Sequence, residues 1–180
     1  MAPETPSAFP FKIEEVDKMV TDSVSKVFET MMNGKATLFS AYNNGETPEK
    51  SHPKLKNSAE QMMVVGMIGF LGSMKGVIYI YMDDATAIAM TSKFLGMEKN
   101  DLTKSHDTVN DALGELSNMI SGTFKNQVCD KGFNCQLTVP SILRAFSFTI
   151  EPLPGAIHRM YQFEIFDSAM GLELVMTEGE

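Results

Sequence analysis

Apolar residues recur at steps of three and four along the first part of the chain, which is the spacing of an amphipathic helix. This stripe contains six residues: Ile13, Val16, Val20, Val24, Val27 and Met31. Gly34 follows the stripe and is typical of a helix end. The pattern therefore predicts a helix that starts near Ile13 and buries these six side chains.

Two further helices are predicted later in the chain. The longer one begins at Ser105, whose hydroxyl is expected to cap it, and extends to about Cys129. A shorter, Ala-rich helix precedes it, with Asp83 or Asp84 as the N-cap and Gly96 as the closing residue.

Short apolar runs rich in Val, Ile and aromatic residues predict the strands. They cover residues 35–42, 62–70, 77–81, 136–139, 145–151, 160–166 and 172–176. A polar, Pro-containing stretch at 43–60 is predicted to be an exposed loop, and residues 1–11 an irregular lead.

The order of these elements predicts a single α+β domain over residues 1–180. A helix and three strands are followed by a short helix, a long helix and three or four strands. The chain therefore consists of two pseudo-repeated units, each a helix followed by three strands.

Composition and charge limit the possible partners. A hydrophobic content of 43% and a charged content of 21% are typical of a folded globular chain. The formal net charge of -8 argues against nucleic-acid binding, because phosphate backbones are held by clustered Lys and Arg. No apolar stretch reaches the roughly 18 residues of a membrane span, and no secretory signal is present. We expect a cytoplasmic protein with protein or small-molecule partners and no membrane insertion.

The residues that could carry metal or nucleophilic chemistry are not arranged for it. Cys129 and Cys135 have no histidine nearby, which predicts free thiols rather than zinc ligands. Ser105, His106 and Asp107 are consecutive and cannot converge into a nucleophilic triad. The glycines of "GMIGFLG" lie within apolar strands, which predicts close backbone packing rather than a phosphate loop. No metal site of the chain's own is expected.

The longer second helix carries the one constellation with candidate chemistry. Asp111, Glu115, Asn118 and Gly122 share one side at steps of four, three and four, and Lys125 continues the line. The opposite stripe, predicted to face the core, is Val109, Leu113, Leu116, Ile120 and Phe124. A polar helix side of this kind is most often simply solvated. A glycine in a helix interior costs roughly 0.8 to 1 kcal/mol relative to Ala, which indicates close approach to the backbone or a packing role.

The spacing Asp111-x3-Glu115-x2-Asn118, with 21 residues before Pro140, resembles the signature of the CheC, CheX and FliY chemotaxis phosphatases. Residues 68–96 are similar to the strand, hairpin and connecting helix of CheX-like members. The resemblance covers most of the chain, and its gap before the proline is one residue shorter than is typical of the family. It implies a CheC-like fold, with a mainly antiparallel sheet and long helices packed on it.

The resemblance also implies a reaction, which is hydrolysis of the aspartyl phosphate of a CheY-like response regulator. The receiver domain of the regulator supplies Mg²⁺, so no cofactor of the chain's own is expected. On this hypothesis Asn118 orients the attacking water, and Glu115 contacts the active-site lysine of the receiver. Asp111, Gly122 and Lys125 are assigned to partner binding.

The first helix has Lys26 and Glu29 at the places where double-site relatives repeat the Glu and Asn. A single active site is therefore expected, as in CheX-like members. Those members form homodimers whose sheets join edge to edge, so a homodimer is expected here. The alternative is a non-catalytic adaptor or flagellar-switch-type module that binds a response regulator, because a fold alone does not establish chemistry.

Overall fold

The computed structural model describes residues 9–55, 60–104, 106–151 and 154–179. The elements found in these residues are α1 (Ile13–Met32), β1 (Ala36–Asn43), β2 (Met63–Gly72), β3 (Met74–Asp83), α2 (Asp84–Leu95), α3 (Lys99–Leu102), α4 (His106–Asp130), β4 (Cys135–Leu137), β5 (Ser141–Ala145), β6 (Ile157–Ile165) and β7 (Ser168–Glu178). This order repeats a long helix followed by at least three strands, as the sequence predicts.

The strands form one sheet in the order β1-β6-β7-β3-β2-β4, and β5 also pairs with β2. Every pairing is antiparallel. Together with the helices packed on the sheet, this confirms the predicted α+β fold with a mainly antiparallel sheet. β4 pairs with residues 70–72 of β2, and β5 pairs with residues 63–67. The two short strands therefore act as one broken edge strand over residues 135–145.

Helix α1 follows its predicted stripe except at its two ends, and at the first of these Ile13 is only half-buried. Val16, Val20 and the valines that follow are buried, but Met31 is 45% exposed, so that part of the prediction is wrong. Phe28 and Met32 are buried in its place. The buried arc turns toward Phe28 because that ring packs on Phe166 at the β6–β7 turn, with 5.9 Å between the ring centroids.

The other helices begin and end close to the predicted positions. Asp83 caps α2, since its side chain accepts a hydrogen bond from the Thr86 amide at 2.6 Å, and Gly96 closes the helix with a φ of 66°. The predicted cap of α4, Ser105, lies outside the described residues. The apolar stripe of α4 is buried as predicted, at Val109, Leu113, Leu116, Ile120 and Phe124. The short helix α3 was not predicted.

The strand predicted over 145–151 is wrong. β5 ends at Ala145, and residues 146–151 pair with no strand in the described part of the chain. Phe148 instead packs on Tyr81, edge to face, with 5.1 Å between the ring centroids. The apolar alternation of this segment therefore places side chains against the sheet face opposite the helices, without adding a strand.

The polar stretch after β1 is anchored at His52 and at Lys54, whose Nζ donates to the Asp167 carbonyl. Its described residues, 44–55, are mostly exposed, whereas His52 is buried. The His52 amide donates to Gln162 Oε1 at 2.6 Å, and its ring packs edge to face on Phe39. Residues 56–59 of the predicted loop and 1–8 of the predicted lead lie outside the described residues.

Both long helices pack on one face of the sheet, and the main core lies between them and the strands. Gln127 of α4 donates from Nε2 to the Met19 carbonyl of α1 at 3.0 Å and to Ser23 Oγ at 2.9 Å. The two helices are therefore held by polar contacts as well as by apolar packing.

Candidate functional site

Helix α4 lies very close to β2 at Gly66, where β2 has no side chain. A Cβ added to Gly66 would lie 2.2 Å from Ser117 Oγ and 3.5 Å from Leu113 Cγ. Real Cβ atoms essentially never approach another atom as closely as the first of these distances. The close packing predicted for the glycines of this strand is thus confirmed at Gly66, and it sets the depth of α4 on the sheet.

The broken edge strand runs beside the polar side of α4. Leu137 Cδ1 lies 3.9 Å from the position that a Cβ of Gly122 would occupy, and Pro140 lies 3.9 Å from that of Gly114. Asn118 is four residues from each glycine, so it lies between these two contacts on the same side of the helix. The residues that link β4 to β5, 138–140, therefore pass alongside Asn118.

This 138–140 link is fixed to β2 through Thr138. The Thr138 amide donates to the Gly69 carbonyl at 2.8 Å, and the Gly69 amide donates to Thr138 Oγ1 at 2.9 Å. A Cβ at Gly69 would lie 3.1 Å from Thr138 Cγ2, so glycine leaves the space that this contact uses. Thr138 thus points toward β2, while the next side chain, Val139, projects into solvent and is 82% exposed.

The five predicted site residues lie along one side of α4. Asp111 and Glu115 are exposed, whereas Asn118, Gly122 and Lys125 are half-buried because the broken edge strand lies beside them. Within the described ranges, none of the four polar side chains has a hydrogen-bond or ion-pair partner. Their polar groups are therefore available to another molecule.

Two thiols lie near Lys125. Cys129 and Cys135 are free, as predicted, and Cys129 Sγ donates a weak hydrogen bond to the Cys135 carbonyl at 4.0 Å. Burial raises the pKa of Cys135 to about 11; the adjacent Cys129 thiol adds to the rise, and the positive charge of Lys125 opposes it. Lys125 therefore lies close to the start of β4.

Arg144 on β5 was not foreseen as part of this region. Its Nε donates to Asn110 Oδ1 on α4 at 3.1 Å, and its Nη1 donates to Asp84 Oδ1 on α2 at 2.5 Å. Asn110 is the neighbour of Asp111, so Arg144 fixes the first half of α4 against both the edge strand and α2. A lone arginine in a short strand carries no sequence signal of this role.

Three other possibilities concern the equivalent side of α1, a metal site and a membrane-spanning helix. Lys26 and Glu29, at the equivalent places of α1, are both exposed. No three His, Cys, Asp or Glu side chains among the described residues are grouped so that they could hold a metal ion. The described helices include none that is long and apolar enough to cross a membrane.

Comparison with known proteins assigns this arrangement to a family. The model of a family described as "Chemotaxis phosphatase CheX" matches residues 64–164, which span β2 to β6 and include α4. None of the curated proteins matches the chain in sequence.

Solved structures share the fold at low sequence identity. Chemotaxis protein CheX from Desulfovibrio desulfuricans is 20% identical with a TM-score of 0.71, and the match covers 91% of this chain and 99% of that chain. Chemotaxis protein CheX from Vibrio vulnificus gives 21% and 0.71 over the same shares of both chains. A CheX-CheY-BeF3-Mg²⁺ complex from Borrelia burgdorferi gives 21% and 0.67 over 91% of this chain and 98% of that chain.

Proposed function

The chain belongs to the CheX family of chemotaxis phosphatases, and on that premise we propose that it hydrolyses the aspartyl phosphate of a CheY-like response regulator. One observation carries this proposal: Glu115 and Asn118 lie one turn apart on α4 with no partner among the described residues. The crystallised complex of CheX with CheY, BeF3 and Mg²⁺ from Borrelia burgdorferi supports a CheY-like partner for this chain as well.

Asn118 orients the attacking water. An acyl phosphate is already labile, so a helper protein needs chiefly to hold water in line with the bond that breaks. An amide can donate to and accept from that water without being ionised. The half-buried position of Asn118 beside the 138–140 link restricts its side chain, which favours a fixed orientation of the amide.

Glu115 aligns the two proteins. Its exposed carboxylate forms a charge-assisted hydrogen bond with the active-site lysine of the receiver. The receiver holds Mg²⁺, so this chain needs no metal ligands of its own. Asp111, Gly122 and Lys125 extend the contact along α4, and such a partner places the protein in the cytoplasm.

The test is the rate of phosphate loss from a phosphorylated receiver with and without this protein. Asn118→Ala is expected to lower the rate by about 100-fold or more, because positioning contributes several kcal/mol to such reactions. Glu115→Ala is expected to weaken receiver binding as well. Glu29→Ala, at the equivalent place of α1, is the matched control and should retain full activity.

Two results would contradict the proposal. Full activity of Asn118→Ala would refute the role of the amide. Tight receiver binding without faster dephosphorylation by the unmodified protein would indicate the non-catalytic adaptor instead. The thermal midpoints of both variants should be no lower than that of the parent, since neither side chain has a partner within the described residues and alanine favours the helix.

We also propose that the protein is a homodimer whose sheets join edge to edge. The outer side of β1 is unpaired within the described residues, so it could add a further strand and leave the 138–140 link uncovered. Light scattering should give a mass of about twice 19.9 kDa. A mass equal to that of a single chain at micromolar concentration would contradict this proposal.

A further inference from the structure

Val139 is the most exposed large apolar side chain in the described part of the chain, at 82%, and the next is Leu71 at 62%. Single exposed apolar residues are common on protein surfaces, so exposure alone indicates nothing. The position and the rigidity of Val139 distinguish it from the others.

The backbone at Val139 is held on both sides. Before it, Thr138 exchanges two hydrogen bonds with Gly69. After it, Pro140 has a restricted φ and lies against the turn of α4 that contains Gly114. The valine side chain is therefore presented from a fixed point and loses little freedom when another protein covers it.

Val139 also lies beside the site. The 138–140 link passes alongside Asn118, between the contacts made by Leu137 and Pro140 with α4. A protein that brings its reacting group to Asn118 therefore comes close to this link, where Val139 is exposed. On α4, the same protein meets the exposed carboxylates of Asp111 and Glu115.

We propose that Val139 is an apolar anchor for the phosphorylated receiver domain. This inference rests on the proposed function and adds a binding residue outside α4. It specifies the chemistry of the partner: beside its phosphorylation site, the receiver presents an apolar side chain that rests on Val139, and basic groups that face Asp111 and Glu115. Val139 acts on binding, whereas Asn118 acts on the chemical step.

The experiment compares Val139→Ser with Leu71→Ser in steady-state dephosphorylation of a CheY-like receiver from the same cell. Leu71 is a matched control because it is also exposed and apolar, but it lies on the sheet face opposite α4, near Tyr79 and Ile150. Loss of one buried valine contact corresponds to about a tenfold rise in KM. We expect this rise for Val139→Ser with kcat unchanged within about twofold, no change for Leu71→Ser, and near-normal KM for Val139→Leu.

Two kinetic outcomes would overturn the inference. An unchanged KM for Val139→Ser would show that the receiver does not cover this side chain. A fall in kcat at constant KM would show that the 138–140 link positions Asn118 and does not dock the partner. Thermal unfolding of each variant should match the parent, because the exposed side chain contributes little to the core.

A binding measurement separates this inference from the proposed function. The probe is the same receiver activated with BeF3⁻ and Mg²⁺. If the parent binds it about tenfold more tightly than Val139→Ser does but hydrolyses no phosphate, the anchor stands and the phosphatase proposal fails. If the parent hydrolyses phosphate and the two proteins bind the receiver equally well, the anchor fails alone. If the parent neither binds nor hydrolyses, both fail.

Discussion

Gly122 occupies a helix interior position where the structure leaves room for a side chain. A Cβ there would meet only Leu137 Cδ1, at 3.9 Å, which is an ordinary van der Waals distance. Glycine is less favourable than alanine in a helix interior by roughly 0.8 to 1 kcal/mol. Packing within the described residues therefore does not account for this glycine, whereas the proposed approach of a receiver to the helix backbone would.

We predict that Gly122→Ala raises the free energy of unfolding by about 0.8 to 1 kcal/mol, through helix propensity, and lowers phosphatase activity. Urea unfolding followed by circular dichroism measures the first effect, and phosphate release measures the second. Gly114→Ala is the control, because its Cβ would face Pro140 inside the protein at 3.9 Å. It should gain similar stability and keep its activity. A stabilised Gly122→Ala variant with full activity would contradict a partner role for this glycine.

Sequence periodicity could predict α4 as an element but not what lies beside it. The 3.6-residue spacing determines which side of α4 is buried, because that is a local property of the helix. The pairing of residues 135–145 with β2 depends on contacts between distant parts of the chain, so the half-burial of Asn118 could not be foreseen. The strand wrongly predicted over 145–151 has the same cause, since apolar alternation also suits a segment that lies across a sheet face.

The depth of α4 on the sheet depends on the glycine at position 66 of β2, and a substitution there tests this dependence. Gly66→Ala is expected to cost about 1 to 3 kcal/mol, because the new methyl group overlaps Ser117 Oγ. It should also lower phosphatase activity, because Asn118 is the next residue on α4 and moves with Ser117. Both quantities are measured by urea unfolding and phosphate release.

Ser117→Ala provides the matched control for this prediction. Ser117 Oγ is buried and has no hydrogen-bond partner in the described ranges, so its removal should be nearly neutral. Combined with Gly66→Ala, it should restore much of the lost stability and activity. If the two changes were simply additive, the overlap would not be the cause of the destabilisation.

The two halves of the chain are interleaved across the whole molecule. Going across the sheet, β1, β3 and β2 come from the first half, and β6, β7 and β4 from the second. The main core contains residues from both halves. α1 is joined to β6 through Asp17, which accepts hydrogen bonds from Arg159 at 2.9 and 2.7 Å and from the Tyr161 hydroxyl at 2.8 Å. Neither half can therefore complete its own layer of the fold.

Because the halves are interleaved, we predict that the loss of one local interaction destabilises distant elements to the same extent. Asp17→Ala leaves the largely buried Arg159 without its carboxylate partner and is expected to cost about 3 kcal/mol. Asp22→Ala, which removes an exposed pair with Lys18, should change stability by at most about 0.5 kcal/mol. We expect the interleaved halves to unfold as one unit, so amides in the centre of α4 and β2 should lose as much protection from hydrogen exchange as those of α1. Unchanged protection of α4 in Asp17→Ala would show instead that the helix bearing Glu115 and Asn118 is stabilised independently of α1.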